Sequence, residues 1–120
     1  MTENLRFSLE VYDGPLDLLL TLLQKNKLDI FDIPISEITG QYMEELRRMA
    51  EADLEISTEF LLMASKLLLM KSRALLPVEK PEEDEMTPEQ LSERLAEYKK
   101  VKEAARLLGE VQFSSAANYF

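Results

Sequence analysis

Two aspartates, Asp29 and Asp32, flank the apolar pair Ile30-Phe31. Carboxylates at that spacing could divide acid and base work, given a pocket that splits their pKa values. Aspartate also favours helix starts, and Asp32 stands just before one, so helix-entry charge is the simpler reading. Lys66, Lys71 and Arg73 could hold an anion. Three charges over two helical turns also describe a solvated edge or an interface rim. Gly14 lacks the further glycines and the Lys/Ser unit of a phosphate loop, so it reads as a helix cap. The sequence has no histidine and no cysteine. That removes the commonest general base and metal ligand, together with thiolate sites and disulfides. The expectation is a non-enzymatic protein with no catalytic residue, no cofactor and no metal.

The elements that carry these residues are helical in character. Leu, Glu, Lys, Ala and Met dominate, and three glycines and five prolines leave little material for turns. A chain of 120 residues fits one domain with an appended segment. A composition 46% apolar and 31% charged is too hydrophobic for disorder and too charged for a membrane protein. The net charge is −9, and no segment gathers enough Lys and Arg to bind phosphates. Direct nucleic-acid binding is therefore not expected. Met1–Arg6 is polar rather than a signal peptide, and no apolar run is long enough to span a bilayer. A cytoplasmic location is the default.

Phe7, Leu9 and Val11 alternate with polar neighbours, which predicts one short N-terminal strand or an extended arm. Asp13-Gly14-Pro15-Leu16-Asp17 then opens a first helix over about 15–25, with Leu16, Leu19, Leu20 and Leu23 at helical spacing. After an apolar connector, a second helix is predicted over 35–52 with the stripe Ile35, Ile38, Tyr42, Leu46 and Met49.

The third helix, predicted over 54–76 and about 33 Å long, is the most informative. Ile56, Phe60, Met63, Leu67, Met70 and Ala74 fall on one face. Leu61, Ala64, Leu68 and Leu75 fall on a second, and Leu62, Leu69 and Leu76 on a third. A helix apolar nearly all round must be buried nearly all round. Two short helices and a strand can cover two faces, which leaves one as an interaction surface. Interface rims are polar and cores are not, so the stripe Leu62, Leu69 and Leu76, edged by Lys66 and Arg73, is the one expected to meet a partner. The Phe60 face is expected to form the core.

Residues 78–87 form an acidic, proline-containing linker. Thr87-Pro88-Glu89-Gln90 is a capping-box start. It opens a fourth helix predicted over 88–108 and closed by Gly109. Its stripe is Leu91, Leu95, Tyr98, Val101, Ala105 and Leu108. The tail from Val111 has no clear periodicity. The fold class is all-α: a small bundle with a short strand, a long third helix, a linker and a further helix.

Three strings then recur in order. Tyr12-Asp13-Gly14-Pro15-Leu16-Asp17-Leu18-Leu19-Leu20 resembles the opening motif of the ScpA family of bacterial segregation and condensation proteins, which are kleisins. The segment Leu28–Thr39, with Asp32-Ile33-Pro34-Ile35, is similar to its second motif. Phe60–Leu68 and Lys71–Pro77 are similar to the family's long helix. The resemblance covers about residues 7–77 and is loose beyond 78.

That resemblance implies a kleisin N-terminal helical domain over 1–77 and a central segment over 88–120. The third helix would pack on the coiled-coil neck of an SMC ATPase head, through Leu62, Lys66, Leu69, Arg73 and Leu76. The segment after the linker would bind ScpB, through Leu91, Leu95, Tyr98, Val101 and Leu108. The family's C-terminal winged helix has no counterpart in these residues, so a longer protein is expected. Without its partners the chain is expected to form a homodimer at high concentration. A self-associating acidic helical protein with no SMC partner is the competing reading.

Overall fold

The computed structural model describes residues 12–76 and 82–119, with side chains to residue 109. The expected strand at Phe7–Val11 lies outside the described residues, and those residues contain no strand. Four helices follow in order: α1 (Pro15–Lys25), α2 (Ile35–Glu51), α3 (Thr58–Leu75) and α4 (Pro88–Tyr119).

Local chemistry sets the ends of α1 and α2. Pro15 takes the first position of α1, where its missing N–H costs nothing. The Asp17 carboxylate reaches back and accepts the Asp13 backbone N–H at 3.0 Å. At the far end, Lys27 adopts a left-handed φ of 54°. The Lys27 N–H then donates to the Gln24 carbonyl and the Leu28 N–H to the Leu23 carbonyl. This is a Schellman motif, closed by the contact between Leu28 and the core.

The same motif ends α2, with Asp53 at φ 60° and Leu54 N–H bonded to Met49 carbonyl at 3.0 Å. It also corrects the predicted start of the third helix. Residues 54–57 are not helical, and α3 starts at Thr58, after Ser57 in extended backbone.

The core is built around α1, which packs against all three other helices. Leu18, Leu19, Leu20, Leu22 and Leu23 are all buried. Sequence periodicity assigned only one stripe to this helix, but three neighbours enclose it. The stripe of α2 is buried as predicted, and α2 pairs most extensively with α3. Tyr42 Oη donates to the Phe60 carbonyl at 2.8 Å, tying the two helices through the core. Burial pushes that hydroxyl's pKa well up, so it stays a donor.

Helix α4 differs most from expectation. Its start is as predicted: Thr87 Oγ1 accepts the Gln90 N–H, and Gln90 Oε1 accepts the Thr87 N–H. Gly109 does not end it, and the helix continues through the tail to Tyr119. A glycine stops a helix when it supplies a left-handed residue, and no described glycine has positive φ. Inside a helix it costs only about 1 kcal/mol relative to alanine.

Leu91 and Leu95, expected to face ScpB, are fully buried in the common core. Tyr98 is partly buried against it. The first half of α4 is thus part of the bundle, because Leu91 and Leu95 gain more against α1 than in water.

One polar contact fastens α4 to α1. Asp17 is only 3% exposed, and its Oδ1 accepts a hydrogen bond from Lys102 Nζ at 2.6 Å. Lys102 remains half exposed. The bond to Asp17 is the main cause that raises the Lys102 pKa. A raised lysine pKa means the contribution is intact below the ordinary lysine range and is lost as pH climbs through the folded value.

Lys102→Met keeps the stem and removes the charge. It should lower stability by roughly 1–3 kcal/mol, because a buried carboxylate loses its partner. Thermal melts at neutral pH would check this, and an unchanged melt would show that the pair is ornamental. The difference from the parent should vanish above the lysine range.

Candidate partner interface on α3 and α4

Six leucines of α3 and its C-cap stand in the open. Leu61, Leu62, Leu68, Leu69, Leu75 and Leu76 are between 42% and 70% exposed. The opposite side of the helix, Phe60, Met63, Ala64, Leu67 and Met70, is buried. The expected core face is therefore buried from Phe60 to Met70 and the Leu62–Leu69–Leu76 stripe is open, but Ala74, expected on the core face, is exposed, and Ile56 is only partly buried and precedes the helix.

The second predicted face is a correction. It was expected to be covered, yet only Ala64 of its four residues is buried. No described element lies over Leu61, Leu68 and Leu75, so the open surface is twice as broad as one stripe.

The spacing of this surface is regular. Leu61, Leu68 and Leu75 repeat every seven residues, and so do Leu62, Leu69 and Leu76. Ser65 and Ser72 lie between the two rows, and Lys66 and Arg73 edge them at the same interval. An apolar repeat of seven, slightly out of step with 3.6 residues per turn, is met by a second helix coiling around the first. The serines are small enough for that helix to approach closely. Burying a leucine contributes about 1.5–3 kcal/mol relative to leaving it exposed, so six half-exposed ones are a large unsatisfied surface.

The cations do not converge as an anion site would. Lys71 lies about 140° around the helix from Lys66. Arg73 turns toward the linker, where Nη2 and Nε donate to the two oxygens of Glu85 at 2.6 and 3.0 Å. That hydrogen bonding holds the Glu85 carboxyl below its usual range. The pair therefore contributes at neutral pH and fades as pH falls through the carboxylate range. Lys66 stays at the rim, and Arg73 reaches it only from within this pairing.

Asp29 and Asp32 are both exposed. Asp29 Oδ1 accepts the Phe31 N–H at 2.9 Å, which is turn chemistry rather than catalysis.

On α4, the expected ScpB stripe divides. Leu91, Leu95 and Tyr98 turn inward, and every residue from Lys99 to Gly109 is exposed. Val101 and Leu108 are 60% and 62% exposed, and Leu107, which the sequence stripe omitted, is open as well. Leu91, Leu95, Tyr98 and Lys102 share one side of the helix, whereas Val101 and Leu108 stand about 90° away. Sequence reasoning merged these two sides because both are apolar and only α1 separates them.

Between the leucine surface of α3 and the first half of α4 runs a cavity of about 350 Å3. Leu62 and Lys66 line one wall, Arg94 and Tyr98 the other, and Asp13 and Leu16 its end. No described helix is long and apolar enough to cross a membrane. Among the described residues no group of three or more acidic side chains could hold a metal ion.

Comparison with known proteins gives one consistent result. The family model for segregation and condensation protein ScpA matches residues 22–120. The segregation and condensation protein A of Desulfitobacterium hafniense is 48% identical over 118 residues, covering 93% of this chain and 44% of that protein. The protein of the same name from Clostridium tetani is 49% identical over 110 residues, covering 88% and 43%. That of Listeria innocua is 46% identical over 114 residues, covering 89% and 46%. The chain spans less than half the length of these curated relatives.

Proposed function

The chain belongs to the family of segregation and condensation protein ScpA, and from that premise we propose that it is the N-terminal part of a kleisin, the bridging subunit of an SMC complex. In this reading α3 packs along the coiled-coil neck of an SMC ATPase head, and α4 past Lys99 binds ScpB. The protein does no chemistry of its own. It works in the cytoplasm, on chromosomes that its partners hold.

The observation that carries this reading is the seven-residue repeat of exposed leucines on α3. A long apolar surface with that period is built for a helix, and a coiled-coil neck is a helix pair. The half of α4 past Lys99 supports the ScpB assignment in a coarser way. It is helical, and its residues to Gly109 are exposed and include apolar side chains; an isolated helix of this kind is marginal until something covers it.

The test is capture of separate SMC head-and-neck fragments and of ScpB by the purified chain. Binding of neither would overturn the proposal. Deleting residues 88–120 would be uninformative, because it would strip Leu91 and Leu95 from the core. Point changes separate the sites instead. The double variant Val101→Glu and Leu108→Glu should lose ScpB by at least about tenfold and leave neck binding intact, since a charge pressed into an apolar contact lacks a partner. Loss of both partners together would show that the two surfaces are not separate.

A further inference from the structure

The leucine surface of α3 has a neighbour along one edge. Leu62 and Lys66 turn into the cavity whose far wall is Arg94 and Tyr98 of α4. Resting on the functional reading above, we infer that the helix-binding surface is the leucine face of α3 continued across this trough to α4, not α3 alone. Its occupant is an amphipathic helix with apolar residues every seven positions and an acidic side chain level with Lys66 and Arg94.

Charge supports the choice of occupant. Lys66 and Arg94 come from different helices yet line the same cavity, and neither is in an ion pair among the described residues. Two cations facing one trough favour a carboxylate between them. Asp13 and Glu59 line the same trough. Glu59 is seven residues before Lys66, about 10 Å along α3. The sign of the charge therefore reverses along α3, which favours one direction for a bound helix and disfavours the other.

Packing fixes the second wall. Leu91 and Leu95 are fully buried, and Lys102 holds Asp17 at 2.6 Å beyond them. Tyr98 and Arg94 lie between these anchors, so their distance from α3 is set by the core. Asp17 and Lys102 are positioning residues in this scheme. Asp17 lines the trough, but its oxygens are taken by the Asp13 N–H and by Lys102, and Lys102 is outside the lining; together they hold the helix that meets the partner.

The experiment is titration of the full 120-residue chain with an SMC head-and-neck coiled-coil fragment, at low and high salt. Arg94→Glu changes an exposed side chain and should melt like the parent. It should weaken binding about fivefold or more at low salt, with a smaller loss at high salt, as expected for a charge at an interface edge. Arg94→Lys should restore most of the affinity. Lys102→Met should also weaken binding while the chain still melts cooperatively.

Leu69→Glu serves as the reference, because Leu69 does not line the trough. If Leu69→Glu fails to bind while Arg94→Glu and Lys102→Met bind like the parent, α3 alone is the surface. This inference is then wrong and the functional reading stands. If Leu69→Glu binds like the parent, the functional reading itself falls.

Discussion

Leu69→Glu is expected to abolish binding to an SMC neck fragment and leave the chain folded. Leu69 is 42% exposed on the open side of α3, so a carboxylate there stays hydrated in the free protein. Melting and helical content should match the parent. In the complex the same carboxylate would be pressed into the leucine surface, while the nearest cations, Lys66 and Arg73, stay at its rim and Arg73 is already held by Glu85. Stripping water from a charge there is costly even with a cation at the rim, so the loss should exceed about a hundredfold. Leu69→Ala should cost far less, since it removes contact without adding charge. Calorimetric titration beside thermal melts would decide the matter. A Leu69→Glu chain that unfolds would mean the face belongs to the core.

Leu67→Ala should do the reverse. Leu67 is fully buried where α3 meets α2, and its carbonyl lies 3.4 Å from the Thr39 hydroxyl. Truncation leaves a cavity that the helices can fill only in part, at a cost of about 2–5 kcal/mol. Against the total stability usual for a domain of this size, that is enough to leave the variant marginal. Leu68→Ala, one residue along on the open face, should change stability by less than about 0.5 kcal/mol. Denaturant melts of the pair give a direct comparison at constant chemistry. Equal losses at both positions would place a covering element over Leu68.

The two experiments test one feature from opposite sides. A long helix apolar on three faces cannot satisfy them all within this bundle. The Phe60 and Leu67 side is covered by the rest of the bundle, including the Tyr42 side chain with its hydroxyl on the Phe60 carbonyl. The remaining leucines are left in two open rows.

Much of this was legible in the residues. Helix α1 begins at Pro15 and ends at Lys25 as predicted, and the signals of its start are local: proline at the first position and an acid in the first turn. The capping box at Thr87 is equally local, two side chains and two N–H groups within four residues. The core face of α3 follows from periodicity alone, since a repeat of 3.6 says which residues share a side.

Periodicity cannot say which side a neighbour will cover. It separated the three faces of α3 but not how many would be open, and Leu61, Leu68 and Leu75 remain exposed. It merged the buried Leu91–Leu95 side of α4 with the exposed Val101 and Leu108. It also left Asp17 as a charge near a helix start, with nothing to suggest Lys102, 85 residues away.

The helix ends that moved have the same cause. A left-handed Asp53 and a helix running through Gly109 are backbone choices between states within about 1 kcal/mol of each other. The sequence by itself determined the helical class, the position of α1, the caps and the core face of α3, because short-range chemistry specifies them. Only the tertiary structure decided that α4 joins the core, that two leucine rows stay open and that a buried aspartate takes a lysine from α4. Those outcomes depend on which apolar surfaces cover one another at the lowest free energy, and that competition runs over the whole chain.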